Sequence, residues 1–362
     1  MSRRAASPGA APDREDAPVE SASPAGHARW PEEAAVFARG FDRDALRVVT
    51  WNLQLLPGAF AGQGGCPASL ERRARRIVAN VLALARATRV DVVAFQEVWH
   101  EGAARALRAG LRALFPHQHR PAAYCGLLTV TRAGLPHAHA RFAPFRNTAG
   151  VEGWWFTKGV AAVVVETEEA TRENPYENAE PFAVLNAHAQ SDFWASGAAT
   201  RASQMTQTRE MLNEMARERY SRLDSRDSAC DMTTLLVGDL NVAAGSEEYR
   251  AAMRALGDPT DILAADALTG TDAFTFPIGA YVSTTFEAFP LCLMGSESFG
   301  AYVPRTPTKR LDHALRFRKR GDERRAGEKK AASAAIVLAG LARGEDGAPL
   351  SDHAPIFAVV RR

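Results

Sequence analysis

A chain of 362 residues, 46% hydrophobic and 24% charged, has the composition of a globular protein and the length of one large domain or two modest ones. Its formal net charge of +2 excludes a globally basic nucleic-acid binder while allowing a local basic patch. Cys66, Cys125, Cys230 and Cys292 are scattered and form no CxxC pair, which argues against a zinc site and a disulfide framework.

The first 29 residues are rich in Ala, Pro, Ser and Gly. They bury too little apolar surface to offset ordering, and the expectation is a disordered tail. Asp13, Glu15 and Asp16 argue against an organelle transit peptide, and no hydrophobic signal segment is visible. No apolar run reaches the roughly 18 residues that span a bilayer. The compartment stays unassigned, cytoplasmic or peripheral-membrane by default, and a monomer is expected. The tail is assigned to residues 1–45, and the ordered domain to 46–362, starting at Leu46.

Leu46–Trp51 has the β-branched and aromatic content of a strand. Over Ser69–Thr88, Leu70, Ala74, Ile77, Val81 and Leu84 recur at helical spacing, with Arg72, Arg73, Arg75 and Arg76 on the other face. A strand over Val90–Phe95, a helix over Ala104–Phe115 and strands over Tyr124–Thr131, Val160–Val165 and Phe182–Leu185 follow. A long helix over Thr200–Tyr220 places Met205, Thr208, Met211, Leu212 and Met215 on one face. After the strand Leu235–Val237, Ser246 is placed to cap a helix over Glu247–Leu256, with Glu247 and Glu248 at its positive end. Strands over Leu311–Phe317, Ala334–Leu338 and Ile356–Val360 complete the chain. Single helices between strands imply helices outside a sheet core.

Several of these apolar strands end in polar residues. RVVTWN ends at Asn52, Gln96 and Glu97 follow DVVAF, and FAVLNAHAQ carries Asn186, His188 and Gln190. TLLVGDLN carries Asp239 and Asn241, KRLDHALRF places Asp312 inside a strand, and Ser351, Asp352 and His353 precede the last strand. One such residue is commonly a strand cap or a satisfied structural group. So many in apolar strands would cost stability unless they met one another, a metal or a substrate. Glu97, Asp239, Asn52 and Asn241 supply oxygens without cysteine, which suits Mg²⁺ better than zinc, and Mn²⁺ or Co²⁺ are conceivable substitutes. With His188 and His353 beside them, the inventory points to phosphoester hydrolysis. No GxSxG elbow and no Walker A loop compete.

Together, TWNLQ, QEV, NAHAQ, GDLN, LDH and SDH, in that order over about 300 residues, resemble the endonuclease/exonuclease/phosphatase superfamily of deoxyribonuclease-like, metal-dependent phosphodiesterases. The resemblance implies an α+β fold, a four-layer α/β/β/α sandwich of two packed sheets flanked by helices. It implies Glu97 as the main Mg²⁺ ligand, supported by Asn52, with Asp352 near the metal. His353 would be the general base, oriented by Asp312. Asp239 would position the nucleophile or ion, Asn241 would hold a phosphate oxygen, and His188 would stabilise transition-state charge or assist the leaving oxygen.

WWFTKGV at Trp154–Val160, NAHAQSD, TRASQMTQTREM and the extension GDLNVAAGSEEYRAAMRAL are most similar to the neutral and bacterial sphingomyelinase-like branch. This implies hydrolysis of a phospholipid at a membrane surface, sphingomyelin first, with Lys158 contacting a phosphate or a neighbouring acidic group. The alternative is a Mg²⁺-dependent nuclease acting on DNA or RNA. An inert binding module fits poorly with so complete a residue set. His313 departs from the tyrosine usual at its position, so local substrate packing is expected to differ. Arg316–Lys330 has eight basic and three acidic residues, and readings as a solvated loop, an anionic-membrane contact or a phosphate-backbone contact stay open. The aromatic-rich stretch Phe274–Phe289 is read either as a lipid contact or as core.

Overall fold

In a computed structural model the chain is described over residues 30–41, 45–56, 67–122, 124–150, 152–165, 181–191, 196–222, 232–265, 311–317, 333–337, 350–351 and 353–360. The first 29 residues, Cys66, Cys230, Cys292, Asp352, the 274–289 stretch and the basic stretch beyond Phe317 lie outside them.

Two parallel pairs organise the molecule. The first joins β1 (Leu46–Asn52) to β2 (Val92–Gln96) through α2 (Pro67–Thr88). The second joins β7 (Phe182–His188) to β8 (Thr233–Asp239) through α5 (Gly197–Arg222). Parallel neighbours need a crossover of this kind, and helices supply it. Around the first pair, β3 (His117–His119), β4 (Leu128–Thr131), β11 (Ala334–Val337) and β12 (Ile356–Val360) complete a sheet of order β11-β12-β1-β2-β4-β3. Around the second, β5 (His137–Pro144), β6 (Gly159–Val165), β9 (Thr260–Asp261) and β10 (Asp312–Phe317) give the order β5-β6-β7-β8-β10-β9.

The two sheets pack face to face, β1 over β8 and β2 over β7. Val48, Val92, Ala94, Val163, Val184, Val237 and Ile356 fill the space between them. On the outer face of the first sheet, Trp51, Phe95 and Phe357 pack on Leu70, Ile77, Val81 and Leu84 of α2 and on Leu107 and Leu111 of α3 (Glu101–Leu111). On the outer face of the second, Leu185 and Leu236 meet Met205, Met211 and Met215 of α5 and Met253 and Leu256 of α6 (Glu247–Leu256). This is the four-layer sandwich that the resemblance implied. Strands covered on both faces need apolar side chains throughout, which is why they read as unbroken hydrophobic runs.

The tail expected over residues 1–45 is corrected at its end. Trp30–Arg39 forms a helix, α1, with Glu32 and Glu33 in its first turn and Arg39 in its last, where each suits the helix dipole. Ala34 and Ala38 enter the same core as α2, and Phe37 meets the Phe357 ring at 5.9 Å. The surrounding Ala-Pro-rich composition masks this short amphipathic pattern. α3 also starts earlier than expected, because His100 Nδ1 accepts the Ala103 N–H at 3.1 Å and caps it. Ser246 caps α6 as its sequence position predicts, accepting the Tyr249 N–H at 3.0 Å.

Candidate active site

The parallel pairs explain where the polar residues go. β1 and β2 run the same way, so Asn52 falls opposite Gln96 at their carboxyl ends, with Glu97 next. β7 and β8 likewise put His188 opposite Asp239. β10 runs antiparallel to β8, so its first residue, Asp312, also lies opposite Asp239. β12 runs antiparallel to β1, which brings the segment before it, with Ser351 and His353, to that same end. Topology alone therefore gathers polar residues from six strand ends onto one end of the sandwich.

Asn52 stands at the centre. Its Nδ2 donates to Glu97 Oε1 at 3.1 Å and to Asp239 Oδ2 at 2.9 Å, joining the two sheets. Its Oδ1 accepts the Gln54 N–H at 3.1 Å. His188 Nε2 lies 3.6 Å from Glu97 Oε1 and 3.9 Å from Asp239 Oδ2. His353 Nε2 lies 3.8 Å from Asp239 Oδ2, and its Nδ1 donates to Asp312 Oδ2 at 2.7 Å. Asn241 is tied to Asp239 by its backbone N–H, 2.8 Å from Oδ1, while its Nδ2 donates to Ala189 O at 3.2 Å. Glu97 and Asn241 hold φ angles of 57° and 53° in the left-handed region. Side chains seldom stay there unless the surroundings enforce it, and such positions cluster at functional sites.

The electrostatics follow from burial. Loss of solvent and then the Asp312 carboxylate push Asp239 up to about 6, against opposing help from His353, Asn241 and Asn52. Burial, followed by the charges of Lys158 and His353, holds His188 well below its ordinary value. His188 is therefore a neutral imidazole at neutral pH. Glu97, His188 and Asp239 each offer a ligand atom, all within 4.8 Å of one another. Two carboxylates brought this close repel unless a proton or a cation lies between them, and the oxygens of Glu97, Asp239 and Asn52 fit a hard divalent ion. For Asn52 to join such an ion through Oδ1, its amide must turn and release the Gln54 N–H.

Other side chains locate this centre without belonging to it. Gln96 Nε2 donates to Asn186 Oδ1 at 2.7 Å, a buried carboxamide pair across the two sheets. Ser351 Oγ donates to Asn52 O at 2.6 Å and accepts the His353 N–H at 3.1 Å, and Trp51 Nε1 donates to His353 O at 2.9 Å. Gly238, at φ 133°, lies so close to β7 that a Cβ would come within 2.0 Å of Ala187 O. A close approach of this kind requires glycine.

Lys158 has an acidic neighbour and a backbone partner. Its buried Nζ lies 3.2 Å from Glu152 and donates to Ala189 O at 2.9 Å. Of the expectations for this residue, the acidic neighbour is the one beside it. Glu152, on the short helix α4 (Glu152–Trp155), also accepts Gln190 Nε2 at 2.5 Å and Ser191 Oγ. Sequence reasoning missed Glu152, because a lone glutamate before two tryptophans carries no spacing signal. α4 exposes Trp154 and Trp155, at 85% and 62%, with Tyr124 nearby at 71%. Tyr124 O accepts the Thr157 N–H at 2.9 Å, and Phe156 packs on Trp99, whose ring lies 6.2 Å from His188. His313 faces away from the centre. Its Nε2 lies 2.8 Å from Val242 O and its ring stacks on Tyr249, so the expected change in substrate packing there is corrected to a core contact.

Carboxylates, carboxamides and two histidines gathered at one end of a two-sheet sandwich suit metal-dependent phosphoester chemistry. Residues 49–353 match the Endonuclease/Exonuclease/phosphatase family, and the chain belongs to it. Divalent-metal dependence is typical of that family. Among solved structures, sphingomyelinase C from Streptomyces griseocarneus is similar at 22% identity, 88% of this chain, 99% of that one and TM-score 0.58. A mutant of beta toxin from Staphylococcus aureus with bound magnesium ions is similar at 17% identity, 88% and 100% coverage and TM-score 0.61. Truncated TDP2 from Caenorhabditis elegans is similar at 14% identity, 88% and 98% coverage and TM-score 0.55. At these identities the likeness shows the fold. No curated protein matches the chain in sequence.

Proposed function

We propose that this chain is a Mg²⁺-dependent phosphodiesterase that hydrolyses a phospholipid at a membrane surface, sphingomyelin to ceramide and phosphocholine. Glu97, Asp239 and Asn52 would hold the ion, with Asp352 as the further ligand that its family motif suggests. Bound there, the ion would neutralise charge developing on the phosphoryl group. His353 Nε2 takes the proton of the attacking water, with Nδ1 committed to Asp312 at 2.7 Å so that the ring keeps one tautomer. Asp239, 3.8 Å from that Nε2, orients the water. Asn241 holds a phosphate oxygen. His188, neutral in its buried setting, donates to the leaving or a non-bridging oxygen. Lys158 acts as a positioning residue that fixes Ala189 O and Glu152.

The observation that carries the lipid reading is the aromatic rim. Trp154 and Trp155 are exposed on a segment whose Glu152 is bonded to Gln190 and Ser191, two and three residues past His188, and exposed Tyr124 is tied to that segment through Thr157. Amphipathic rings of this kind favour the boundary between water and acyl chains. Release of phosphocholine from sphingomyelin vesicles in Mg²⁺, stopped by EDTA, tests the proposal.

A further inference from the structure

A second group of ionisable side chains lies away from the active site, at the open edge of the sandwich. β3 and β5 are the edge strands there, one from each sheet. His117 and His119 lie opposite Thr131 and Thr129 on β4. Thr129 points between the sheets, where its hydroxyl accepts Asn186 Nδ2 from β7 at 3.2 Å. Cross-strand partners share a face, so His117 and His119 also point between the sheets.

On β5 the register slips between His137 and His139, placing His137 opposite Val165 and His139 opposite Val164. Val165 belongs to the core between the sheets and Val164 to the core under α5. The bulge therefore turns His137 toward the β3 histidines and leaves His139 on the helix side. Bulges commonly re-aim a side chain in this way. His117 and His137 bring their ring centres to 6.2 Å.

Among the described residues, Nε2 of both His119 and His137 is shut off from solvent and has no hydrogen-bond partner. Leaving a buried polar nitrogen unsatisfied costs stability that a bound ion can restore. Burial, with His119 and His117 nearby, lowers His137 to about 4, and burial lowers His119 as well. Both rings therefore carry free lone pairs at neutral pH, the form that ligates metals.

We propose that His117, His119 and His137 form a binding site for a transition-metal ion of the zinc class, separate from the Mg²⁺ site. An all-imidazole set selects Zn²⁺, Co²⁺, Ni²⁺ or Cu²⁺ over Mg²⁺, and three protein ligands leave a fourth position for water. Imidazoles that share a zinc at about 2.0–2.1 Å have ring centres roughly 5–6 Å apart, so the His117–His137 pair, at 6.2 Å, and His119 must draw closer together for an ion to bind. Half-buried His117 provides access from solvent.

Equilibrium dialysis of the full chain against Zn²⁺ tests this. The expected result is one zinc equivalent that survives Glu97→Gln and weakens at least tenfold in His117→Gln and in His137→Gln. Mg²⁺-dependent hydrolysis of a soluble phosphodiester and the far-UV circular dichroism should remain those of the parent in both histidine variants. With Co²⁺ as the probe, a visible absorption band should follow the same pattern. Absence of bound zinc in the parent overturns the proposal. So does an equivalent lost in Glu97→Gln, or one that persists in the double variant His117→Gln/His137→Gln.

Discussion

His353 Nδ1 donates to Asp312 Oδ2 at 2.7 Å, a bond between a loop and a strand 41 residues apart in sequence. It leaves Nε2 as the lone-pair nitrogen and aims it toward Asp239. If His353 is the general base, His353→Ala should lower kcat by about 10²–10⁴ while the protein stays folded. Asp312→Asn should act in the same direction, because an amide can donate to Nδ1 and select the other tautomer. Single-turnover kinetics with circular dichroism as a fold control measure both. Unchanged turnover in His353→Ala would remove that residue from the base role.

Asp239 pushed up to about 6 implies a proton competing with a cation. A carboxyl whose folded value is raised favours the protonated folded state, so the ion-free protein should lose stability as pH rises from about 4 to about 6. A divalent ion reverses this by binding the carboxylate. Thermal unfolding should show Mg²⁺ stabilisation that is full above about pH 6 and fades below it. The gain should be about 2.7 kcal/mol at a hundredfold excess over Kd. Glu97→Gln should abolish most of that gain, and an undiminished gain would place the ion elsewhere.

Trp154 and Trp155 should matter only when the substrate is in a bilayer. Trp154→Ala/Trp155→Ala is expected to cut hydrolysis of vesicle substrate at least tenfold and to reduce vesicle co-sedimentation. Turnover of a soluble diester should stay within about twofold. Equal losses on both substrates would assign the pair to folding or to the cleft itself.

The edge histidines predict a separate pH effect. His137 falls to about 4 and His119 is also lowered, both held neutral by burial. Histidines of this kind contribute stability that is complete above their ordinary value near 6.5 and is lost as pH falls toward about 4. In metal-free buffer, urea unfolding across that window should show stability falling with pH, and His137→Gln should flatten the slope. An identical slope in the variant contradicts the assignment.

Much of the fold and the site is legible in this sequence, for a physical reason. Strands buried on both faces must be apolar, so Asn52, Glu97, His188, Asp239 and Asp312 stand out at their ends. Parallel pairing then carries those ends to one place, which no single motif reveals. The motif extensions turn out to be structural. Arg201, 1% exposed, pairs with Glu248 at 2.6 Å, and Gln204 Oε1 accepts the Gln190 N–H at 2.9 Å, clamping the segment after His188. Tyr249 donates to Asp261 at 2.5 Å and stacks on His313. α1, β3, β5 and Glu152 were not legible, because short or half-exposed elements lack a strong period. The turn of His137 toward β3 depends on a bulge that leaves no mark on composition.

The substrate decides the central claim most directly. Purified chain with Mg²⁺ is offered sphingomyelin vesicles and supercoiled DNA in parallel, with EDTA and His353→Ala as controls. Phosphocholine release that both controls remove, with the DNA left intact, is the predicted result. DNA nicking without phosphocholine release contradicts it and assigns the same active site to a nuclease.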